Sequence, residues 1–325
     1  MKRICLWTLM SVLGFSWTVM GAAGAAEKYP RKPITFIMPY EAESGVSTLT
    51  RKAVEIAEKK LGVSIIYVNK PGAAGVIGGK DIYNAKPDGY TVGGYAPLVI
   101  NRLQGLYPYG QRDFDMIGLI GYAPVVIICN AKTPWKSVKE LIDYAKEHPK
   151  EVKAATSAKG AYYWVAARIF EEATGAKLNI IPQPGGGGMG VVQTAGGHTD
   201  IAFSDFMASK PLLESGNIRL LGIMATTRFS GKYSQIPTLK DVGYPIEGGA
   251  TRVIVGPKGM PKDAKEKLMA VFGEAAQSAE FRDFCQNLFS VPLWLPGERG
   301  IEFYDQEEAT LRPIFQAAGL IKEAK

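Results

Sequence analysis

Strand-like apolar runs alternate with helical patterns along almost the whole chain, and twice the alternation passes through the same device, a strand followed by a proline and a glycine-rich turn. The first copy reads Ile65-Ile66-Tyr67-Val68-Asn69-Lys70-Pro71-Gly72-Ala73-Ala74-Gly75. The second reads Asn179-Ile180-Ile181-Pro182-Gln183-Pro184-Gly185-Gly186-Gly187-Gly188. Strands joined by helices build sheets with helices packed on their faces, so the order specifies the α/β class. A turn of small residues that opens a helix exposes backbone N–H groups, which can hold an anion, and glycine lets that anion come close. The same glycines would also serve tight turns with no ligand. Their recurrence, once in each half and facing a shared cleft, favours binding.

The first strand is expected at Ile34 to Met38, followed by a helix from about Thr48 to Lys60 whose Leu49, Ala53, Ala57 and Leu61 fall on one face. Further strands are expected at 64–68, 91–95, 116–120 and 125–129. Ser137 and Glu140 have the spacing of a capping box for a helix with Val138, Leu141, Ile142 and Ala145 inward, stopped by Pro149. The second half adds a helix over 162–174 ended by Gly175, strands at 178–181, 201–204, 218–225 and 253–255, and helices over 264–277 and 299–318. The run at 218–225 is long enough to cross between lobes. The expected organisation is a first lobe over 27–126, a second over 127–224 and a return to the first over 225–325, so that two crossings make a hinge.

Lys2 and Arg3 precede an apolar stretch from Ile4 to Met20 that runs into Gly21-Ala22-Ala23-Gly24-Ala25-Ala26. This is the pattern of a secretory leader over 1–26, cleaved near Ala26, and predicts an exported, periplasmic protein. About 300 residues then remain, natural for two lobes of about 150. The formal net charge of +7 includes the two leader charges, and the rest is spread without a basic block, which argues against nucleic acid as a partner. Cys129 and Cys285 match no zinc or redox spacing, and two buried thiols are expected rather than a bridge, though the compartment would permit one. With His148 and His198 the only histidines, a metal centre or Ser-His pair has little to build on, and no cofactor is expected.

Several short segments then occur in one order: Tyr29-Pro30-Arg31-Lys32-Pro33-Ile34, Val68 to Gly78, Lys86-Pro87-Asp88-Gly89-Tyr90-Thr91, Ser137 to Ile142 with Ala145 to Pro149, Gly196-Gly197-His198-Thr199-Asp200, Pro237-Thr238-Leu239 and Pro257-Lys258-Gly259. Together they resemble the periplasmic receptors of tripartite tricarboxylate transporters, the TctC or Bug family, over essentially the whole mature chain. The resemblance implies a type II periplasmic-binding-protein fold, two α/β lobes joined by a two-stranded hinge. It also implies a monomer that holds a small organic carboxylate between its lobes and delivers it to integral membrane transporter subunits. The corresponding ligand-binding residues would be Tyr40, Glu43, Ser44 and Ser47; Gly72, Ala73 and Ala74; Tyr95 and Ala96; Ser157, Ala158, Gly160 and Tyr162; Gly185 and Gly186; Ser204 and Asp205; and Arg252, the one fixed positive charge there.

Two departures bear on the ligand. The family's first loop carries paired glycines and an aspartate where this chain has Glu43, Ser44 and Ser47, with Glu41 close by. An acidic loop would repel an anion unless its glutamates point away, pair with Arg252 or a lysine, or select a ligand bearing a donor or cation; for Arg252 the alternative is a surface arginine over Tyr244. In lobe two, Tyr162-Tyr163-Trp164 replaces small and polar residues. Tyr163 and Trp164 fit a lobe core, while Tyr162 with Tyr40 and Tyr95 would form an aromatic wall. Two enzyme readings compete. Gly185, Gly187 and Gly190 fit a dinucleotide spacing, but Pro182 and Pro184 interrupt the strand-to-helix context. A secreted hydrolase could pair Glu41 with Glu43 or Glu171 with Glu172, although the latter two read more simply as a solvated helix face.

Overall fold

The computed structural model describes residues 29–42, 44–95, 98–184 and 187–322, so the leader and its cleavage point lie outside the described residues. In chain order the elements are β1 (Ile34–Met38), α1 (Gly45–Leu61), β2 (Ile65–Asn69), α2 (Val76–Tyr83), β3 (Thr91–Gly94), α3 (Leu98–Leu103), β4 (Phe114–Asn130), α4 (Val138–Glu147), β5 (Lys153–Thr156) and α5 (Tyr162–Thr174). They continue with β6 (Asn179–Pro182), α6 (Gly187–Ala195), β7 (Ile201–Asp205), α7 (Phe206–Glu214), β8 (Ile218–Met224), β9 (Gly249–Pro257), α8 (Lys262–Gln277), α9 (Ala279–Asn287), β10 (Val291–Pro296) and α10 (Glu298–Ala317).

The fold is mixed α/β in two lobes threaded by one strand. Separate strands are expected at 116–120 and 125–129, but β4 is a single 17-residue strand. Up to Pro124 it pairs with β9 and β10, and from Val125 onward with β7 and β8. Pro124 does not end the strand because it falls where pairing changes hands, opposite Gly249, so its missing N–H breaks no long ladder. On either side the sheets run β2-β1-β3-β9-β4 and β4-β7-β5-β6. The β1–β2, β1–β3, β5–β6 and β5–β7 pairs are parallel, which places the carboxyl ends of β1, β3, β5 and β7 towards one interlobe cleft.

The return crossing differs from the expected one. β8 lies wholly along the second half of β4 and stops at Met224. Phe229, Tyr233 and Leu239 then pack into the cores beside β8, and Thr238 bridges to Ile223, so residues 226–247 cover lobe two. The chain crosses back at Gly248 and Gly249, where Gly248 O accepts from Val125 N at 2.7 Å. Burial explains the choice: the apolar residues of this segment find a face to cover on lobe two.

Local signals set the helix ends. Ser44 caps α1 by accepting from Ser47 N at 3.2 Å, and Gly62, at a φ of 72°, closes it by donating to Glu58 O. The α1 stripe, Leu49, Ala53, Val54, Ile56, Ala57 and Leu61, is buried with Leu268 and Phe272 of α8 and Phe281 of α9 on one side of the lobe-one sheet. Ser137 accepts from Glu140 N as expected, while the Glu140 carboxylate reaches Lys136 N instead of closing the box on Ser137. Glu171 is not on a solvated face. It is 5 % exposed and its carboxylate accepts from Leu178 N at 2.7 Å and from Arg168 at 2.5 Å, tying α5 to the entry of β6.

Candidate functional site

The cleft between the lobes opens beside the hinge as a cavity of about 390 Å3. Lobe one contributes Gly45, Val46 and Thr48 from the first turn of α1, and lobe two contributes Tyr163 and the start of α7 from Asp205 to Ala208. The hinge strands supply Ala123, Ala250 and Arg252, and Leu288, Phe289 and Ser290 close one side. Both helices meet the cavity at their N-termini, where unpaired N–H groups and the helix dipole present positive potential.

Arg252 is the charge at the centre. It is 4 % exposed, so it is not the surface arginine considered over Tyr244, whose hydroxyl instead accepts from Lys146 at 2.8 Å. Its Nη1 donates to Ala250 O, its Nε has no partner, and it makes no salt bridge among the described residues. A methyl added to Gly45 would lie 3.8 Å from its Nη2, which places the guanidinium at the head of α1. Burial pushes the guanidinium below its ordinary value, opposed by Tyr163 and Asp205, and an arginine stays charged regardless. A buried cation thus faces a positive helix end, with no carboxylate bridging the two among the described residues.

Asp205 stands across the cleft. One carboxylate oxygen accepts from Ala208 N at 2.8 Å, capping α7, and the other accepts from Tyr163 OH at 2.9 Å. Burial, then the nearby Asp205 charge, raise the Tyr163 phenol well above its usual value, so it remains a donor. Gly187 is required where α6 passes this pair: a Cβ there would meet Ser204 Oγ at 2.5 Å and the Tyr163 ring at 2.7 Å.

Of the expected ligand-binding residues, Asp205 and Arg252 line this cavity. Ser44 caps α1 at its edge, and Ser204 is fully buried beneath it, its hydroxyl without a partner among the described residues. Ser47 turns inward, accepting from Asn69 Nδ2 at 3.0 Å. Ser157 is buried and its hydroxyl accepts from Tyr163 N and Trp164 N at the start of α5. The expected aromatic wall is not assembled. Tyr95 is 1 % exposed, packed with Tyr107 and Phe114 in the lobe-one core, and Tyr162 faces a different cavity, against α10. Tyr40 lies over Gly75, where an added Cβ would come within 2.8 Å of its hydroxyl. Gly72 and Ala73 shape the turn before α2, with φ of 129° and 46°, and neither borders the cavity. Gly160 O accepts from Gln104 across the lobes and Ala158 is exposed. Glu43, Ala96, Gly185, Gly186 and the Ala74 side chain lie outside the described residues, and with Glu43 the expected sharing of Arg252. The sequence pattern assigns Tyr163 to the core and gives no sign of Phe289, while Gly45 and Val46 fall inside the expected loop from Tyr40 to Ser47 without being singled out; the N-cap Ser44 is the signal that locates them.

Two α/β lobes closing on a charged cleft at a strand hinge define a solute-binding protein. The Tripartite tricarboxylate transporter family receptor pattern matches residues 49–320, and the chain belongs to that family, whose members are periplasmic receptors rather than enzymes. Protein BugT of Bordetella pertussis is 30 % identical over 278 residues, 83 % of this chain and 85 % of the relative. A TctC solute-binding protein from Polaromonas superposes with a TM-score of 0.78 at 28 % identity, over 89 % of this chain and all of that one. An R. palustris protein solved with adipate superposes with a TM-score of 0.72 at 24 % identity, over 90 % and 99 % of the two chains. Among the described residues no helix is long and apolar enough to cross a membrane, and no cluster of three or more His, Cys, Asp or Glu is placed to hold a metal ion.

Proposed function

We propose that this chain is an exported, monomeric receptor that captures a small organic carboxylate in the Arg252 cleft and passes it to the membrane subunits of a tripartite tricarboxylate-type transporter. The carrying observation is the buried Arg252 guanidinium, without a salt bridge among the described residues and set against the N-terminus of α1. A carboxylate between them would meet a charge-assisted fork on one side and backbone N–H groups on the other. Asp205 and Tyr163 across the cavity favour a ligand whose far end offers a hydroxyl or ammonium donor as well as an acceptor. A volume of about 390 Å3 suits molecules of roughly three to nine carbons, and the relative solved with adipate supports that size class.

The test is calorimetric titration of protein freed of ligand by denaturation and refolding, using mono-, di- and hydroxycarboxylates with adipate among them. Binding at micromolar or tighter affinity by at least one, lost in Arg252→Ala, supports the reading. A complete absence of binding across the panel refutes it. For delivery, the ligand-loaded receptor should restore uptake in vesicles carrying the cognate membrane subunits, and an equal rate without receptor would refute that part.

A further inference from the structure

A second cavity, of about 440 Å3, lies on the other side of the hinge and is not part of the cleft just described. Its walls come from both lobes: Tyr162, Val165 and Ile169 of α5 face Phe303 and Leu311 of α10, with Leu293 of β10 and Tyr122 of β4 at the base. Two carboxylates reach into this apolar space. Glu247 arrives from the segment before β9, its oxygen 3.5 Å from Tyr122 OH, and Glu307 projects from α10. Glu307 forms no hydrogen bond or salt bridge among the described residues. Protein surrounds it while the cavity leaves part of its surface open. Among the described residues no lysine or arginine lines the space to satisfy it.

Carboxylates set in the wall of an aromatic and aliphatic chamber are complementary to an organic cation, whose ammonium pairs with carboxylate and ring faces while its hydrocarbon body displaces water. We propose that this cavity is a binding site for a small organic ammonium ion, held by Glu307 and Glu247 against Tyr122, Tyr162 and Phe303. Because its walls belong to α5 of one lobe and α10 of the other, an occupant would bridge the lobes behind the hinge.

Burial alone raises the Glu307 carboxyl to about 7. The titratable groups that share its surroundings are acidic or phenolic, namely Tyr162, Tyr304, Tyr122 and Glu247, while Arg252 of β9 acts on Tyr162 and Tyr304. An alkylammonium keeps its charge to about pH 10, so pH dependence between 6 and 8 belongs to the carboxylate. The carboxylate fraction rises about tenfold over that interval, and affinity should rise with it.

Titration of the ligand-free protein with hexylammonium and benzylammonium tests this, with hexanol and hexanoate as neutral and anionic controls. The expected result is saturable ammonium binding at pH 8, about tenfold weaker at pH 6, and at least about tenfold weaker in the near-isosteric Glu307→Gln variant. Hexanol binding as well as hexylammonium, hexanoate binding in its place, or unchanged ammonium affinity in Glu307→Gln would each overturn the assignment. None of these readouts depends on which carboxylate the cleft takes, so the two proposals stand or fall separately.

Discussion

Replacing Arg252 by methionine separates what this residue does for the ligand from what it does for the fold. The guanidinium is 4 % exposed, bonds one carbonyl, leaves its Nε unpaired and sits at the positive end of α1. Asp205, the acid among the described residues that acts on it, is already committed to Tyr163 and to capping α7. Taking an ion from water costs several kcal/mol, and here little within the protein offsets it, so a methionine of similar volume should stabilise the ligand-free protein by about 1 to 4 kcal/mol. The same change removes the charge-assisted contact to a bound carboxylate, worth about 2 to 5 kcal/mol in a desolvated pair, or roughly 30- to 5,000-fold in affinity. Scanning calorimetry without ligand should therefore show a raised melting temperature, while titration shows binding lost. A variant that melts lower without ligand and binds with undiminished affinity would refute the reasoning, because Arg252 would then be a strut of the fold and not an anion receptor.

Tightening the cleft should weaken binding by another route: Gly187→Val forces its side chain into Ser204 and the Tyr163 ring, so stability should fall by about 1 to 3 kcal/mol and affinity with it, and unchanged values in both assays would disprove the close approach. Glu171→Ala strands Leu178 N and Arg168, and should cost about 2 to 3 kcal/mol by urea denaturation; a loss below about half a kcal/mol would mean the staple is dispensable. For Glu307 the folded carboxyl lies near 7, above its unfolded value, so the native state carries an unfavourable charge once pH passes about 7, and this penalty vanishes as pH falls towards 4.5. Glu307→Gln should accordingly stabilise the protein at pH 8 by about 1 to 3 kcal/mol and leave it unchanged at pH 4.5, and the reverse order would exclude a buried carboxylate there. Cys129 and Cys285 are both buried and free, and burial pushes the Cys285 thiol up to about 12, so a thiol reagent should label neither of these two in the folded protein and both in guanidinium.

Much of the architecture was legible in local pattern. The strand and helix order, the cap at Ser137, the stop at Gly175 and the α1 stripe follow from periodicity and capping, which act between residues a few positions apart. The family resemblance also pointed to Arg252 and Asp205, and both residues line the cavity. The remaining features depended on packing between distant segments. Whether Met116 to Cys129 forms two strands or one depends on partners more than 100 residues away in β9, and whether residues 226–247 cover lobe one or lobe two depends on which apolar face is left open. Three consecutive aromatics illustrate the limit: Tyr162, Tyr163 and Trp164 differ little in sequence, yet the helix turns one towards α10, one towards Asp205 and one into the lobe-one core. Composition determined that apolar surface would be buried and that a lone arginine would be costly to bury. Only the tertiary structure decided where, because a side chain's surroundings are assembled from elements the chain brings together after long separations, and burial energy depends on those surroundings rather than on neighbours in sequence.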